Sequence, residues 1–296
     1  MRWEGREESG NVEDRRGMGM PAGGMAIGGG LGTLAFVIIM LLLGANPQKV
    51  LEQAGSASAR APQTSTFDPK NDPDAPIKSF VSVVMKDTED VWSKIFRDQL
   101  RMRYQQPKLV LFTDAVRSAC GVASSQVGPF YCPADSNVYL DMTFFKQLKD
   151  ELGAPGDFAM AYVVAHEVAH HVQNQLGISG KVQSMQARAG KTEANQLSVR
   201  TELQADYLAG VWAHHAQLDK QILERGDVEE ALNAATRIGD DVLQKRAQGR
   251  IVKENFTHGS AAQRMYFLKK GLETGDASAM MEIFEMSPQQ LENIDR

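Results

Sequence analysis

The chain has 296 residues, 43% of them hydrophobic, with a formal net charge of −5 and a pI near 5.7. That length allows one large domain or two small ones, with enough apolar mass for a core. The acidic balance, with Lys and Arg scattered rather than blocked, excludes nucleic acid as the main partner, because phosphate binding requires a basic face.

Residues 1–24 are polar, mixed in charge and rich in Gly and Met, the composition of a disordered tail. Residues 25–44 read MAIGGGLGTLAFVIIMLLLG, carry no charge, and match the hydrocarbon core of a bilayer in length. Asn46-Pro47 behind them stops a helix. The run is longer than the apolar region of a signal peptide, and Gly44-Ala45-Asn46 is poor cleavage-site chemistry, so the segment reads as an uncleaved anchor. Arg15 and Arg16 precede it and only Lys49 follows closely. The positive-inside rule then puts the N-terminus in the cytoplasm and the bulk of the chain outside. Residues 45–76 have the composition of a flexible linker, which leaves 77–296 as one globular domain.

Within that domain helical periodicity dominates. Phe80, Val84, Val91, Ile95 and Leu100 fall at helical spacing over 78–104. Lys108–Phe112 reads as a buried strand and Asn137–Asp141 as a second strand. A short helix is expected over 143–151, a buried one over 157–176, and a long one over 191–218. Asp227 with Glu230, and Ser260 with Gln263, resemble capping boxes opening helices to about residues 245 and 270. The expected fold class is α+β, mostly helical, with a small sheet.

The chemistry concentrates at His166-Glu167-Val168-Ala169-His170, inside the most apolar helical segment after the anchor. Residues four apart on a helix share a face, so both imidazoles can reach one ion, and Glu167 beside them can take a proton from a water that the metal activates. A catalytic zinc needs a third protein ligand and an open position. Glu202 is the candidate. Asp206 lies one turn beyond it, and two acids so placed repel unless a cation relieves them. Asp206 is then expected to hold the far nitrogen of a ligating histidine. His214 and His215 read as a polar helix end, and His171 points away from His170. His258, just before a capped helix, could donate a hydrogen bond to a tetrahedral intermediate, and Arg264 could pair with Asp206. Taken alone, that loop reads rather as an ordinary one with a surface histidine.

The set HEVAHH, ELQAD, FTHGSAAQR and CGVASSQVGPFYCP, with the opening MRWEGREESGNVEDRRG, resembles the YpfJ-like neutral zinc metallopeptidase family over nearly the whole chain. That family is similar to gluzincins, in which HExxH is completed by a glutamate in an ExxxD motif. The resemblance implies a zincin-like catalytic domain holding one zinc per chain. It implies His166, His170 and Glu202 as ligands, Glu167 as base and Asp206 behind the ligands. A further likeness, to membrane-linked peptidases with a Thr-His-Pro segment followed by an arginine, brings His258 and Arg264 into the site, although Gly259 stands here in place of that proline. The resemblance also implies a bacterial envelope protein.

The expectation is a peptidase of the inner membrane, held by one N-terminal helix, with its catalytic domain in the periplasm and polypeptide as substrate. Residues 137–141 are the expected edge strand for aligning that substrate. The alternative is a membrane-tethered binding or assembly module that keeps zinc for folding energy alone. In an exported domain Cys120 and Cys132, flanking a Gly/Ser/Pro-rich stretch, are expected to form a disulfide. Oligomeric state is not legible.

Overall fold

The computed structural model describes residues 1–17, 71–124 and 128–295. The expected anchor at 25–44 lies outside them, as does most of the expected linker. Among the described residues no helix is long and apolar enough to cross a membrane.

The sheet is assembled in the order β1-β2-β6-β5, from β1 (Val12–Asp14), β2 (Lys108–Phe112), β6 (Asn137–Asp141) and β5 (Phe130–Cys132). β1, β2 and β6 are parallel, with Glu13 opposite Val110 and Val110 opposite Tyr139; β5 runs antiparallel to β6. Side chains alternate across the pleat. Leu109, Leu111, Val138 and Leu140 therefore enter the main core beneath the helices. Val110, Phe112 and Tyr139 face the other way into a small second core. A hairpin of β3 (Ala115–Ser118) and β4 (Gly121–Ser124) supplies Val116 and Ala123 to that second core. The Cys120–Cys132 disulfide, with Cα atoms 5.8 Å apart, ties the hairpin to β5.

Helices cover the opposite face. α1 (Ala75–Asp98) and α2 (Phe144–Asp150) flank the central α3 (Asp157–Gln175), followed by α4 (Ile178–Gln186), α5 (Lys191–Lys220), α6 (Asp227–Arg237), α7 (Asp240–Gln248) and α8 (Ala261–Thr274). α3 is apolar on nearly all sides because α1, α5, α6 and the sheet surround it. α5 and α8 touch backbone to backbone. A Cβ on Gly210 would meet the Leu268 carbonyl oxygen at 2.2 Å, and one on Gly271 the Tyr207 carbonyl oxygen at 1.9 Å. Only glycines allow that approach.

Four expectations are corrected. Residues 1–17 are not disordered: they form β1 and pack on α1 and β2, because their apolar and polar side chains alike find built partners there. Trp3 stacks edge-on against Phe80 with ring centroids 5.5 Å apart, and Ser9 and Asn11 donate to Glu89 at 2.5 and 2.8 Å. The helix expected to run to residue 245 breaks at Ile238-Gly239 into α6 and α7. Gly239 lies so close to the start of α8 that a Cβ would sit 2.4 Å from the Ala261 nitrogen. Asp227 and Glu230 form no capping box. The cap of α6 is Gly226, and Glu230 instead accepts from the Phe158 amide at the start of α3. Finally, β6 is enclosed between β2 and β5, so the free edge on that side belongs to β5. The box at Ser260 and Gln263 is present.

Candidate metal centre

α3 and α5 pack so that one face of each meets the other. His166 and His170, one turn apart, meet Glu202 from α5. His166 Nε2 lies 3.1 Å from Glu202 Oε2, and His170 Nε2 lies 3.6 Å from Glu202 Oε1. One ligand atom from each of the three falls within 4.8 Å of the other two. In that string Glu167 and His170 keep partial exposure while His166, Val168 and Ala169 are buried, so the site opens on their side.

The second nitrogen of each imidazole is held by a protein acceptor. His166 Nδ1 lies 2.9 Å from Asp206 Oδ1, and His170 Nδ1 lies 2.8 Å from Gln173 Oε1. Gln173 is itself oriented: its amide nitrogen donates to the Thr201 carbonyl at 2.7 Å and to Gln204 Oε1 at 3.0 Å. Both acceptors hold the Nδ1 side of the rings and leave Nε2 of each as the atom turned toward Glu202. Two such nitrogens and one carboxylate are the donor set of a catalytic zinc with an open fourth position, so the residues fit the ion.

Asp206 is fully buried and has four contacts. Tyr162 donates its hydroxyl at 2.6 Å, and Arg264 donates through Nε at 2.8 Å and Nη2 at 3.0 Å, beside the His166 contact. Burial pushes the Asp206 carboxyl up, but Arg264 and His166 outweigh it and hold it below its ordinary value. Burial likewise opposes charge on His166, yet Asp206 and Glu202 lift its pKa to about 10. Burial pushes Glu202 up, while His170, His258 and His166 hold it well below the usual carboxylate range. The field that keeps a proton at this point is the field a divalent cation would feel.

His258 sits on the loop before α8. Asp240 Oδ2 accepts the backbone N–H groups of Thr257, His258 and Gly259 at 2.6, 2.7 and 3.1 Å, and Asp240 Oδ1 lies 3.3 Å from His258 Nδ1. Gly259, at φ +94°, lies against α5: a Cβ there would meet Leu203 at 3.0 Å and Val199 at 3.4 Å. His258 is thereby next to the stretch carrying Glu202, and the charge of Glu202 helps raise its pKa above the ordinary value despite burial.

The remaining histidines take no part. His171 donates to the Gln105 carbonyl at 2.6 Å and accepts from Tyr131 at 3.1 Å, on the far side of α3. His214 and His215 reach across to the last turn of α8 and beyond, donating to the carbonyls of Leu272 and Gly275, both at 2.8 Å. They therefore cap a neighbouring helix rather than the end of their own. Sequence reasoning missed Tyr162, Gln173 and Asp240. Tyr162 and Gln173 fall one turn before His166 and one turn after His170, where the helical repeat that joined the histidines could have found them. Asp240 carried no such signal, because it sits inside what reads as a continuous helix.

The sequence profile of the family described as "Putative neutral zinc metallopeptidase" matches residues 1–282. The chain is 47% identical over 281 residues to "Uncharacterized protein YpfJ" of Escherichia coli strain K12, covering 93% of this chain and 96% of that protein. It is 46% identical over 183 residues to "Uncharacterized protein Rv2575" of Mycobacterium tuberculosis, covering 58% of this chain and 61% of that one. No solved structure matches it.

Proposed function

Since the chain belongs to that zinc metallopeptidase family, we propose that it hydrolyses peptide bonds at the site formed by His166, His170 and Glu202. The observation that carries this reading is the pair of histidines with Nδ1 held and Nε2 turned on one carboxylate. Zinc, when bound, supplies polarisation of the scissile carbonyl and acidification of a water. Glu167, half-buried beside the ligands, is the general base that takes that water's proton and passes it to the leaving amine. His258 stabilises negative charge developing on the substrate oxygen. Asp206, fixed by Arg264 and Tyr162, keeps His166 in the ligating tautomer.

Polypeptide substrate pairs with the free edge of β5, which packs on α3 through Tyr131, whose hydroxyl lies near both His171 and Asn174. Three protein donors with partial exposure favour catalysis over a purely structural zinc, which closes with four. The disulfide suits an oxidising compartment. The test is cleavage of an unstructured protein by the full chain before and after chelation. Activity lost on chelation and restored by about one equivalent of zinc supports the reading; chelator-insensitive cleavage, or none at all, rejects it.

A further inference from the structure

Residues 1–17 and the helical domain are one folded unit. The Arg2 amide donates to the Ile222 carbonyl at 2.8 Å, the Ser9 amide to the Ser82 carbonyl at 2.9 Å, and the Arg15 amide to the Leu111 carbonyl at 2.8 Å. Glu89 on α1 is 3% exposed, and its carboxylate accepts from Ser9 and Asn11. Asp87, 1% exposed, pairs with Arg6 as well as with Lys220. Buried carboxylates without partners are costly, so the surface of α1 is built to receive this segment. The segment's far end is fixed beside the start of α1: Arg16 reaches Asp72 at 2.5 and 3.0 Å while also holding Asp14, and Lys78 meets Asp14 at 3.0 Å. The two ends of the described segments, at residues 16 and 72, thus meet at one place.

We infer that residues 1–17 and 71–295 lie on the same side of any membrane the chain meets. A single crossing between them would separate β1 from β2 and strip Glu89 of Ser9 and Asn11. The cytoplasmic N-terminus with an external domain, expected from the charges flanking residues 25–44, is incompatible with that pairing. The test uses single cysteines at two exposed positions of the full chain, Glu4→Cys and Glu273→Cys, each expressed in a bacterium and treated with a membrane-impermeant maleimide before and after lysis. The wild-type chain, whose two cysteines are bonded to each other, gives the background. Both positions labelling under the same condition is the expected result. One labelling in intact cells and the other only after lysis overturns the inference.

A different observation carries a second inference, which rests on the proposed peptidase reading. The loop before α8 has five consecutive backbone amides held by side chains. Thr257, His258 and Gly259 donate to Asp240, Ser260 to Gln263 Oε1 at 3.1 Å, and Ala261 to Asp241 Oδ1 at 2.8 Å. In return the Asp240 amide donates to the Gly259 carbonyl at 2.9 Å. A loop so fully determined fixes where its one imidazole points. We propose that Asp240 is the positioning residue for His258, holding its backbone and, together with Thr257 Oγ1 at 3.0 Å, its Nδ1 edge.

Asp240→Asn keeps an oxygen for the amides but presents an amide group where His258 Nδ1 meets a carboxylate. The expected result is a fall in kcat of about tenfold or more, with KM within about threefold and zinc content unchanged. In a His258→Ala chain the same substitution should add less than about twofold. Losses that multiply overturn this assignment alone. A wild-type chain without turnover removes the peptidase reading and this assignment together.

Discussion

Two of the charge clusters among the described residues differ in how they close. Around Arg16 every carboxylate meets a protein cation: Asp14 and Asp72 share the guanidinium, and Lys78 completes the set. Around Glu202 the cluster is closed on one side only. Asp206 is matched by the paired hydrogen bonds of Arg264, whereas Glu202 faces the Nε2 atoms of two imidazoles and, among the described residues, pairs with no Arg or Lys. A closed cluster staples the chain, while an open one attracts an ion. The contrast shows that burial and charge do not by themselves mark a site; the mark is a set of ligand atoms whose outward partners are all filled and whose inward ones are not.

Breaking the closed half of the metal cluster should have the largest effect on stability. Arg264→Met leaves Asp206 buried without its cation and should cost about 3–5 kcal/mol by denaturant titration, with zinc affinity falling alongside. Arg264→Lys should recover little, because a lysine cannot make both bonds to the Asp206 carboxylate. A smaller loss, about 3 kcal/mol, is expected on reduction of Cys120–Cys132, since the loop it closes is short. Zinc content should not change, because the bridge belongs to the second core on the far face of the sheet. Loss of zinc on reduction would mean that the two faces are coupled.

The smallest expected effect sharpens the Arg16 side. Burial pushes Asp14 up, but Arg16 and Lys78 outweigh it and bring its pKa from 3.8 to about 2. A depressed carboxyl stabilises the folded state fully above its unfolded value, and that contribution fades as the pH falls from about 4 toward 2. Hydrogen exchange of the β1 amides should therefore accelerate across that window ahead of the amides of α3. Simultaneous loss in both would show that the clamp adds nothing local.

How far the sequence carries depends on whether a feature is local. The strands at 108–112 and 137–141 and the helices at 157–175 and 191–220 follow from periodicity, and the match at Ser260 and Gln263 follows from chemistry three residues apart. The same logic puts His166 and His170 on one face, and the acid pair on α5 singles out Glu202. The features that periodicity leaves out depend on distant partners. β1 is three residues long and reads as polar; its order comes from β2 and from the buried acids of α1. The break at Gly239 is dictated by contact with Ala261, and Asp240 acquires its role only when that break brings it under His258. The reading of β6 as an edge failed for the same reason, because β5 is too short to stand out as its neighbour.

The most direct test of the central claim compares the full chain with Glu167→Gln on an unstructured protein substrate, with zinc measured on both. About one zinc in each is expected, with a loss of turnover of roughly 100- to 10,000-fold in the variant. Equal cleavage by both would contradict that claim, since Glu167 would then have no part in the proton transfer.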